Sequence, residues 1–261
     1  MTIWKNYILG HAPSETWTFS PGVTVTIQSG ASIIVNGILI ANGTSTSKVT
    51  FDFISPNSTT QNGIKFISGS NGTINNAIIR NGYYGVSVTG NPTGAINITN
   101  SAISNSSYAI YINGNTSSNV NITGCDIGTS SGGININSGV ANIDGCTIHN
   151  ITTYGGGAVM FNNSGGTIKN CSIQNNLVAT NGISILNNSS PYVFQNTIAN
   201  NTLNGVYVLQ ASPSLQSNVI STTGYNHAAV SNNTYSYTLF GKTSYPYDGY
   251  NTISGSFYGI Y

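Results

Sequence analysis

A repeat of about two dozen residues runs through most of this chain, and it restricts the fold more than any other feature. Each copy has Gly or Ala, then Ile or Val, then any residue, then in nearly every copy an apolar residue, as in Gly85-Val86-Ser87-Val88. The small residue that opens each copy is Gly63, Gly85, Ala109, Gly133, Ala158, Gly182, Gly205 or Ala229. Successive copies are therefore 22 to 25 residues apart. A constant period in this range indicates an array of stacked units.

A second ladder of isoleucines follows the first within each unit. Its members are Ile79, Ile103, Ile127, Ile148, Ile173, Ile198, Ile220 and Ile253. Another apolar residue stands five positions before most of them, and apolar and polar residues alternate inside each short segment, which is typical of strands with one buried face. The sequence predicts an all-β, single-stranded parallel β-helix of about ten rungs, with 22–25 residues per rung and rungs ~4.8 Å apart.

The composition excludes several functional classes. Only 4% of residues are charged and the formal net charge is +1, so we expect no nucleic-acid partner. No apolar run approaches the ~20 residues of a membrane span. The first residues do not resemble a secretion signal. We expect an extracellular or cell-surface protein whose signal is absent from this sequence, or alternatively a virion-surface protein.

The three cysteines fall in one column when the repeats are aligned. Cys125, Cys146 and Cys171 each stand two residues before an isoleucine of the second ladder, with the parity of an inward side chain. A metal or redox site is one interpretation. We favour a structural ladder of small buried thiols, because no CxxC spacing exists and no histidine aligns with the column. No metal and no cofactor are predicted.

A column of asparagines follows the same isoleucines by two residues. Its asparagine members are Asn81, Asn105, Asn150, Asn175 and Asn200. An asparagine that follows a strand can bond the backbone of the turns above and below it. We therefore expect a structural asparagine ladder here and no ligand site.

The segment from Gly22 to Phe53 and the later unit Asn196-Thr197-Ile198-Ala199-Asn200 resemble right-handed parallel β-helix repeat proteins of the pectate-lyase-like superfamily. The resemblance covers roughly residues 16 to 261 and implies a right-handed solenoid. It is specific for fold and weak for function, because the superfamily includes lyases, hydrolases, epimerases, viral spikes and non-catalytic surface proteins.

Enzymes of that superfamily imply clustered charges, either an acidic calcium site with a base or grouped aspartates. Here Asp126 and Asp144 fall on adjacent rungs but in different columns. Asp144 shares a column with Lys169, which predicts a simple ion pair. No two carboxylates share a column or a rung. We therefore predict no catalytic residues and a non-catalytic member of the superfamily.

Tyrosine is abundant, with 16 copies. It suits glycan binding because its ring stacks on a sugar while its hydroxyl forms hydrogen bonds with the sugar's polar groups. One outward column contains Tyr111 and Tyr207, and the C-terminal segment contains Tyr235, Tyr237 and Tyr247. These five are the candidate ligand-binding residues. The alternative is that they are ordinary surface residues of strands.

The predicted organisation is an N-terminal cap over residues 1–21 and a β-helix over 22–261, with an irregular tyrosine-rich insertion at about 233–249. The last strand begins at Gly259 and stops mid-rung, so we expect a longer native chain, a covering partner or end-to-end association of copies. The favoured function is a structural or adhesive surface module that binds glycans or copies of itself. The alternatives are a polysaccharide-binding or polysaccharide-processing β-helix and a viral spike or fibre.

Overall fold

The protein is a right-handed parallel β-solenoid in a computed structural model that describes residues 1–9, 14–55, 59–114, 120–153, 156–178, 180–222, 227–241, 251–255 and 258–260. Within these ranges, no helix is long and apolar enough to cross a membrane. The chain coils through three parallel sheets in a fixed order, and one passage through all three makes a rung.

Each sheet takes every third strand of the chain. Sheet 1 contains β1 (Thr2–Ile3), β4 (Thr24–Ile27), β7 (Val49–Phe53), β10 (Ala77–Arg80), β13 (Ala102–Ser104), β16 (Asp126–Ser130), β19 (Thr147–Ile151), β22 (Ser172–Gln174), β25 (Thr197–Ala199), β28 (Val219–Thr222) and β31 (Thr252–Gly255). Sheet 2 contains β2 (Tyr7–Leu9), β5 (Ile33–Val35), β8 (Ile64–Phe66), β11 (Tyr84–Thr89), β14 (Tyr108–Asn113), β17 (Gly132–Asn137), β20 (Gly157–Asn162), β23 (Asn181–Leu186), β26 (Val206–Leu209), β29 (Ala228–Asn232) and β32 (Tyr258–Ile260). Sheet 3 contains β3 (Thr16–Phe19), β6 (Ile38–Asn42), β9 (Asn71–Asn75), β12 (Ile96–Thr99), β15 (Val120–Thr123), β18 (Val140–Asp144), β21 (Gly165–Lys169), β24 (Tyr192–Phe194), β27 (Ser214–Gln216) and β30 (Leu239–Phe240).

The strand register confirms the predicted β-helix. Val86 pairs with Ile64 on one side and with Ile110 on the other, so the second residues of successive repeats lie directly over one another. The isoleucines of the second ladder pair in the same way, with Ile79 opposite Ile103. Both ladders point inward, and their side chains fill one continuous buried core.

The small residue at the start of each sheet 2 repeat has a steric cause. A Cβ on Gly133 would lie 2.1 Å from the Ala158 carbonyl oxygen, because the backbones of neighbouring rungs approach closely at this corner. Only glycine fits at Gly133, and the repeats that do not open with glycine open with alanine, the next smallest residue, at Ala109, Ala158 and Ala229.

Residues 1–21, which we expected to cap the solenoid, provide the first strand of every sheet. Thr2 pairs with Thr26, Tyr7 with Ile33, and Trp17 with Leu39. This segment therefore covers the core as a rung in register with the others. At the opposite end, residues 233–241 of the expected insertion include β30, which pairs with β27, while residues 242–250 lie outside the described residues.

The three cysteines lie one above another where sheet 3 passes into sheet 1. The backbone nitrogen of Cys125 is 3.4 Å from the Cys146 sulfur, and Cys146 makes the same 3.4 Å contact with Cys171. All three are buried free thiols. The hydrogen bond with the Cys146 sulfur, and then burial, raise the pKa of Cys125 and Cys171, so these thiols stay protonated.

The same column continues with asparagines. Cys171 N–H donates to Asn196 Oδ1 at 3.0 Å, and Asn196 N–H donates to Asn218 Oδ1 at 2.9 Å. Thiol and amide therefore share one role, which is to accept the backbone N–H of the preceding rung at a corner that water does not reach.

The exposed asparagine column differs from its prediction. Asn81, Asn105, Asn150, Asn175 and Asn200 all have left-handed backbone, with φ between 52° and 66°. Asparagine tolerates this conformation better than most residues, and the corner after each sheet 1 strand requires it. A hydrogen bond between side chains of this column occurs at its N-terminal end, where Asn105 Nδ2 donates to Asn81 Oδ1 at 2.5 Å.

The amide ladder that satisfies buried backbone groups at this corner lies one residue later. Asn176 Oδ1 accepts the Ile151 N–H at 3.0 Å, and Asn176 Nδ2 donates to Asn201 Oδ1 at 2.8 Å. Asn201 Nδ2 in turn donates to the Ile173 carbonyl at 3.1 Å. The prediction therefore named the residues that make the turn, whereas their buried neighbours make the backbone bonds.

Candidate functional site

The predicted tyrosine Tyr111 belongs to a cluster of four rings on the outer face of sheet 2. Tyr111 stacks on Tyr84 with ring centroids 5.0 Å apart, and Tyr108 lies 5.6 Å from Tyr111. Tyr83 contacts Tyr84 edge to face at 4.8 Å. The sequence carried a signal for this cluster, because Tyr84 and Tyr108 are one 24-residue period apart.

Packing within the tyrosine cluster changes the titration of its members. Burial, followed by the neighbouring phenols of Tyr111, Tyr83 and Tyr108, raises the pKa of Tyr84 to about 12. Burial also raises the pKa of Tyr108. These phenols therefore remain neutral near physiological pH and present apolar faces with hydroxyl tips.

The other predicted tyrosines within the described part of the chain lie outside this cluster. Tyr207 lies in β26, four strands of sheet 2 beyond the strand of Tyr111, which is ~19 Å at the strand spacing. Tyr235 and Tyr237 are 77% and 76% exposed near the C-terminal end of the described chain. Tyr247 lies outside the described residues. The four predicted tyrosines that the structure describes therefore do not form one surface.

A groove follows the corner where sheet 1 passes into sheet 2. Two adjoining cavities of about 410 and 320 Å³ form it, and Ser107, Ser131 and Thr152 line both of them. We call it the corner groove. These three residues lie on successive rungs, as shown by the backbone bond from Ser131 N–H to the Ser106 carbonyl at 2.9 Å. Short side chains on three rungs leave the space open.

The walls of the corner groove differ in chemistry. The left-handed residues Asn105, Thr129 and Asn150 line the sheet 1 side, so the predicted asparagine column provides part of a polar wall. Tyr83 and Tyr108 line the sheet 2 side. The described lining of both cavities contains no Asp, Glu, Lys, Arg or His. Hydroxyls, amides and aromatic faces therefore meet in an uncharged groove.

The Tyr108 ring is placed by the absence of a side chain on the next rung. Gly132 stands in register with Tyr108, and a Cβ on Gly132 would lie 2.8 Å from Tyr108 Cδ1. The ring can therefore lean along the solenoid axis over Gly132 and reach the groove. A larger residue at Gly132 would push it back.

An aspartate–histidine pair lies beside the corner groove on sheet 1. His149 Nε2 is 2.9 Å from Asp126 Oδ1, and Asn150 Nδ2 is 2.9 Å from His149 Nδ1. Asn150 also lines the groove, so it connects the pair to the polar wall. Sequence reasoning missed this pair because the two residues occupy different outward columns of sheet 1.

Two further ion pairs lie on the solenoid surface. Asp144 and Lys169 pair at 3.3 Å on adjacent rungs, as their shared column predicted. Arg80 pairs with Asp52 at 2.7 Å. Among the residues that the structure describes, no group of three or more His, Cys, Asp or Glu side chains could hold a metal ion.

The fold is similar to those of several solved proteins. A mutant of the periplasmic alginate epimerase AlgG is 13% identical, with a TM-score of 0.62, over 95% of this chain and 74% of that one. The A-module of a mannuronan C-5 epimerase from Azotobacter vinelandii is 13% identical, with a TM-score of 0.55, over 100% of this chain and 88% of that one. The enzymatically active domain of tailspike protein 2 of bacteriophage CBA120 is 14% identical, with a TM-score of 0.54, over 98% of this chain and 43% of that one. At these identities the likeness establishes the fold alone.

Sequence comparison assigns the family. Among curated proteins, none has a significantly similar sequence. The family described as right handed beta helix region matches residues 36–176 and, in an overlapping match, residues 90–243. Each match covers more than half of the chain, and together they include both the tyrosine cluster and the corner groove. The chain therefore belongs to the right-handed β-helix family.

Proposed function

We propose that the chain is a glycan-binding β-helix that holds a polysaccharide in the corner groove without cleaving it. The observation that carries this proposal is the meeting of Tyr83 and Tyr108 with the hydroxyl row of Ser107, Ser131 and Thr152. Aromatic faces stack on the apolar faces of sugars, while hydroxyls and amides bond their hydroxyl groups. A groove with both features suits a hydroxyl-rich ligand.

The shape of the groove favours a chain over a single sugar. Its hydroxyl row repeats on successive rungs, ~4.8 Å apart, along the solenoid axis. An extended glycan that lies along the axis would meet the same group at each rung. Because the described lining has no charged side chain, an uncharged glycan fits this groove better than a strongly acidic one.

The structural neighbours support a carbohydrate-related role and a location outside the cytoplasm. One of them is a periplasmic alginate epimerase, another is a module of a mannuronan C-5 epimerase, and the third is a phage tailspike domain. We extend this to the present chain as a surface module of a cell or virion. Rungs that stack in register make a stiff rod, which suits a spacer or adhesin that presents the groove away from a surface.

Polysaccharide processing is the second candidate function, and the His149–Asp126 pair favours it. A histidine oriented by a carboxylate is a recurring arrangement for proton transfer. The Asn150 amide beside Nδ1 places the proton of the neutral ring on Nε2. A substrate in the corner groove would have to displace the Asn150 amide from Nδ1 before His149 could accept its proton there.

Hydrolysis by two carboxylates receives less support from the geometry. Such sites hold their carboxyl groups roughly 5–10 Å apart. Asp126 and Asp52 lie three strands apart in sheet 1, which is ~14 Å at the strand spacing. Asp144 is engaged with Lys169 on sheet 3. A proton-transfer reaction centred on His149 is therefore the processing activity to test.

A glycan array that contains neutral and uronate-rich polysaccharides tests the leading proposal. We expect selective retention of neutral chains, followed by calorimetric titration of the best one. Tyr108→Ala should weaken binding at least about tenfold, which is ~1.4 kcal/mol, because it removes an aromatic wall. The matched control is Tyr207→Ala, a single tyrosine on the same sheet far from the groove, which should bind as the unaltered protein does.

The outcomes separate the two candidate functions. Binding without new reducing ends, unsaturated sugars or epimerised residues supports a non-catalytic module. Product formation that is lost in His149→Gln, with binding retained, would replace it with the processing function. Loss of binding in Tyr207→Ala but not in Tyr108→Ala would contradict the placement of the site.

A further inference from the structure

A second groove lies at the other end of the sheet 2 strands, where sheet 2 passes into sheet 3. It encloses about 360 Å³, within the usual range for small-molecule sites, and Ser138, Asn163 and Asn188 line its rim on three successive rungs. We propose that this second groove is an independent binding site for an uncharged, hydroxyl-rich glycan. It shares no residue with the corner groove, so either site can fail without the other.

The groove exists because its floor lacks side chains. Gly139 and Gly165 lie on neighbouring rungs, where the Gly165 N–H donates to the Gly139 carbonyl at 3.1 Å. A Cβ on Gly165 would meet no atom within 4 Å, so this position opens directly into the groove. Most other glycines at the corners face backbone or side chains at less than 3 Å, whereas Gly165 shares its open surroundings with Gly69 and Gly145, neither of which lines this groove.

A buried hydroxyl in the groove lining points to a ligand. Ser164 is 8% exposed and lines the groove, and its Oγ has no hydrogen-bond partner among the described residues. Its backbone N–H is satisfied by Ser189 Oγ at 3.1 Å. An unpaired buried hydroxyl is costly, so a ligand that bonds Ser164 Oγ would relieve that cost. Rotation of Ser164 about χ1 would direct Oγ to a ligand that rests on Gly165.

The lining selects the class of ligand. The described residues around the groove are serines, asparagines, glycines and Val140, with no charged side chain among them. Asn163 and Asn188 have left-handed backbone, with φ of 48° and 60°, and both side chains are exposed. Their amides can both donate to and accept from sugar hydroxyls. A strongly ionic ligand would find no counter-charge there.

The two grooves overlap along the solenoid axis but are offset by one rung, because the Ser107, Ser131 and Thr152 row precedes β14, β17 and β20, whereas the rim of the second groove follows β17, β20 and β23. Strands β17 and β20 each connect the hydroxyl row of one groove to the rim of the other, and each has six residues, which places the grooves ~17–20 Å apart. A rigid sheet of this width would hold two glycan strands side by side. The binding stoichiometry should therefore be two per chain, and two sites on one body would also allow two polysaccharide molecules to be bridged.

Nuclear magnetic resonance on the labelled full chain tests the second site with cellohexaose, mannohexaose and maltohexaose as probes. At millimolar concentration, at least one probe should shift the amide signals of Asn163, Ser164 and Gly165. Gly165→Phe should abolish these shifts, because its ring occupies the groove. Thr167→Phe is the matched control, since it adds the same ring to the outer face of the same strand outside this groove. It should leave the shifts intact.

A second variant distinguishes loss of the binding site from a folding defect. Ser164→Ala removes the unpaired hydroxyl, so it should unfold at the same temperature as the unaltered protein or higher, yet bind the probe at least about fivefold more weakly. The inference is overturned if no probe shifts these signals, if Gly165→Phe has no effect on them, or if Ser164→Ala binds normally. If the signals of Tyr83 and Tyr108 shift while those of the second groove do not, the second site is rejected and the corner groove is retained. If only the signals of the second groove shift, the second site is supported and the corner groove is rejected as the site of the proposed function.

Discussion

His149 Nε2 lies 2.9 Å from Asp126 Oδ1, and this bond joins neighbouring rungs of sheet 1 diagonally. The imidazole rests on Gly128, where an added Cβ would be 2.5 Å from His149 Cε1. Asn150 bonds the other ring nitrogen at 2.9 Å. The ring is therefore held by a glycine below it and by polar partners on both nitrogens, at the rim of the corner groove.

Substitution of Gly128 should displace this ring. We expect Gly128→Ala to fold normally, because its backbone is not left-handed, and to break the contact between His149 and Asp126 by steric conflict. Nitrogen chemical shifts of the imidazole measure this: the neutral ring should be the Nε2–H tautomer in the unaltered protein and a mixture in the variant. Gly165→Ala, where an added Cβ meets no atom within 4 Å, is the control. A dominant Nδ1–H tautomer in the unaltered protein would contradict the assignment.

The cysteine column should tolerate polar acceptors better than apolar groups. Cys146→Val removes the acceptor of the Cys125 N–H, whereas Cys146→Ser keeps one. We expect the valine variant to be less stable than the serine variant by about 1–2 kcal/mol, although valine is the more hydrophobic residue. Urea unfolding with an unchanged m-value is the measurement. Equal stability, or a more stable valine variant, would show that the thiol acts only as a space-filling group.

Adjacent asparagines should respond oppositely to one substitution. Asn175→Gly should change the unfolding free energy by less than about 0.5 kcal/mol, because glycine accepts the left-handed φ of 58°. Asn176→Gly should cost about 2–4 kcal/mol, because it removes the acceptor of the Ile151 N–H and leaves a cavity. Thermal or urea unfolding compares the two variants. A larger loss at Asn175 would restore the exposed column as the structural ladder.

Alkaline pH should weaken the tyrosine cluster. The pKa of Tyr84 is raised to about 12, above its ordinary value of 10.0, so the fold favours the neutral phenol. The resulting stabilisation is complete below pH 10 and is lost as the pH rises from 10 towards 12. We expect the free energy of unfolding to fall by roughly 1–2 kcal/mol over this interval. This is less than the full pKa shift would give, because the edge of the Tyr84 ring still meets water. Tyr84→Phe should remove this component of the pH dependence in thermal unfolding, whereas Tyr235→Phe, at an exposed ring, should not. Identical alkaline profiles for the unaltered protein and Tyr84→Phe would contradict the shift.

Much of the fold could be predicted from the sequence because the packing constraints that produce it recur once per rung. Inward side chains such as Ile79 and Ile103 recur at the rung period, and the close approach of backbones at Gly133 requires a small residue. Side chains on the outside have no such requirement. Their partners depend on reach as well as register, so Asp126 and His149 meet diagonally although their columns differ.

The candidate site was only partly predictable for the same reason. The 24-residue spacing of Tyr84 and Tyr108 is a sequence signal for the tyrosine cluster. Of its members, only Tyr111 was among the predicted ligand-binding residues. The corner groove is formed where large side chains are absent. No sequence pattern marks the three rungs on which short side chains coincide. Its contour follows from Tyr108 leaning over Gly132, a detail that requires coordinates.

A crystal structure with the best-binding neutral oligosaccharide from the array tests the central claim most directly. Sugar rings should lie along the corner groove, with one stacked against Tyr108 and hydroxyls bonded to Ser107, Ser131 or Thr152. Sugar bound only elsewhere, for example at Tyr207 or on sheet 3, with the corner groove free of ligand, would contradict the account.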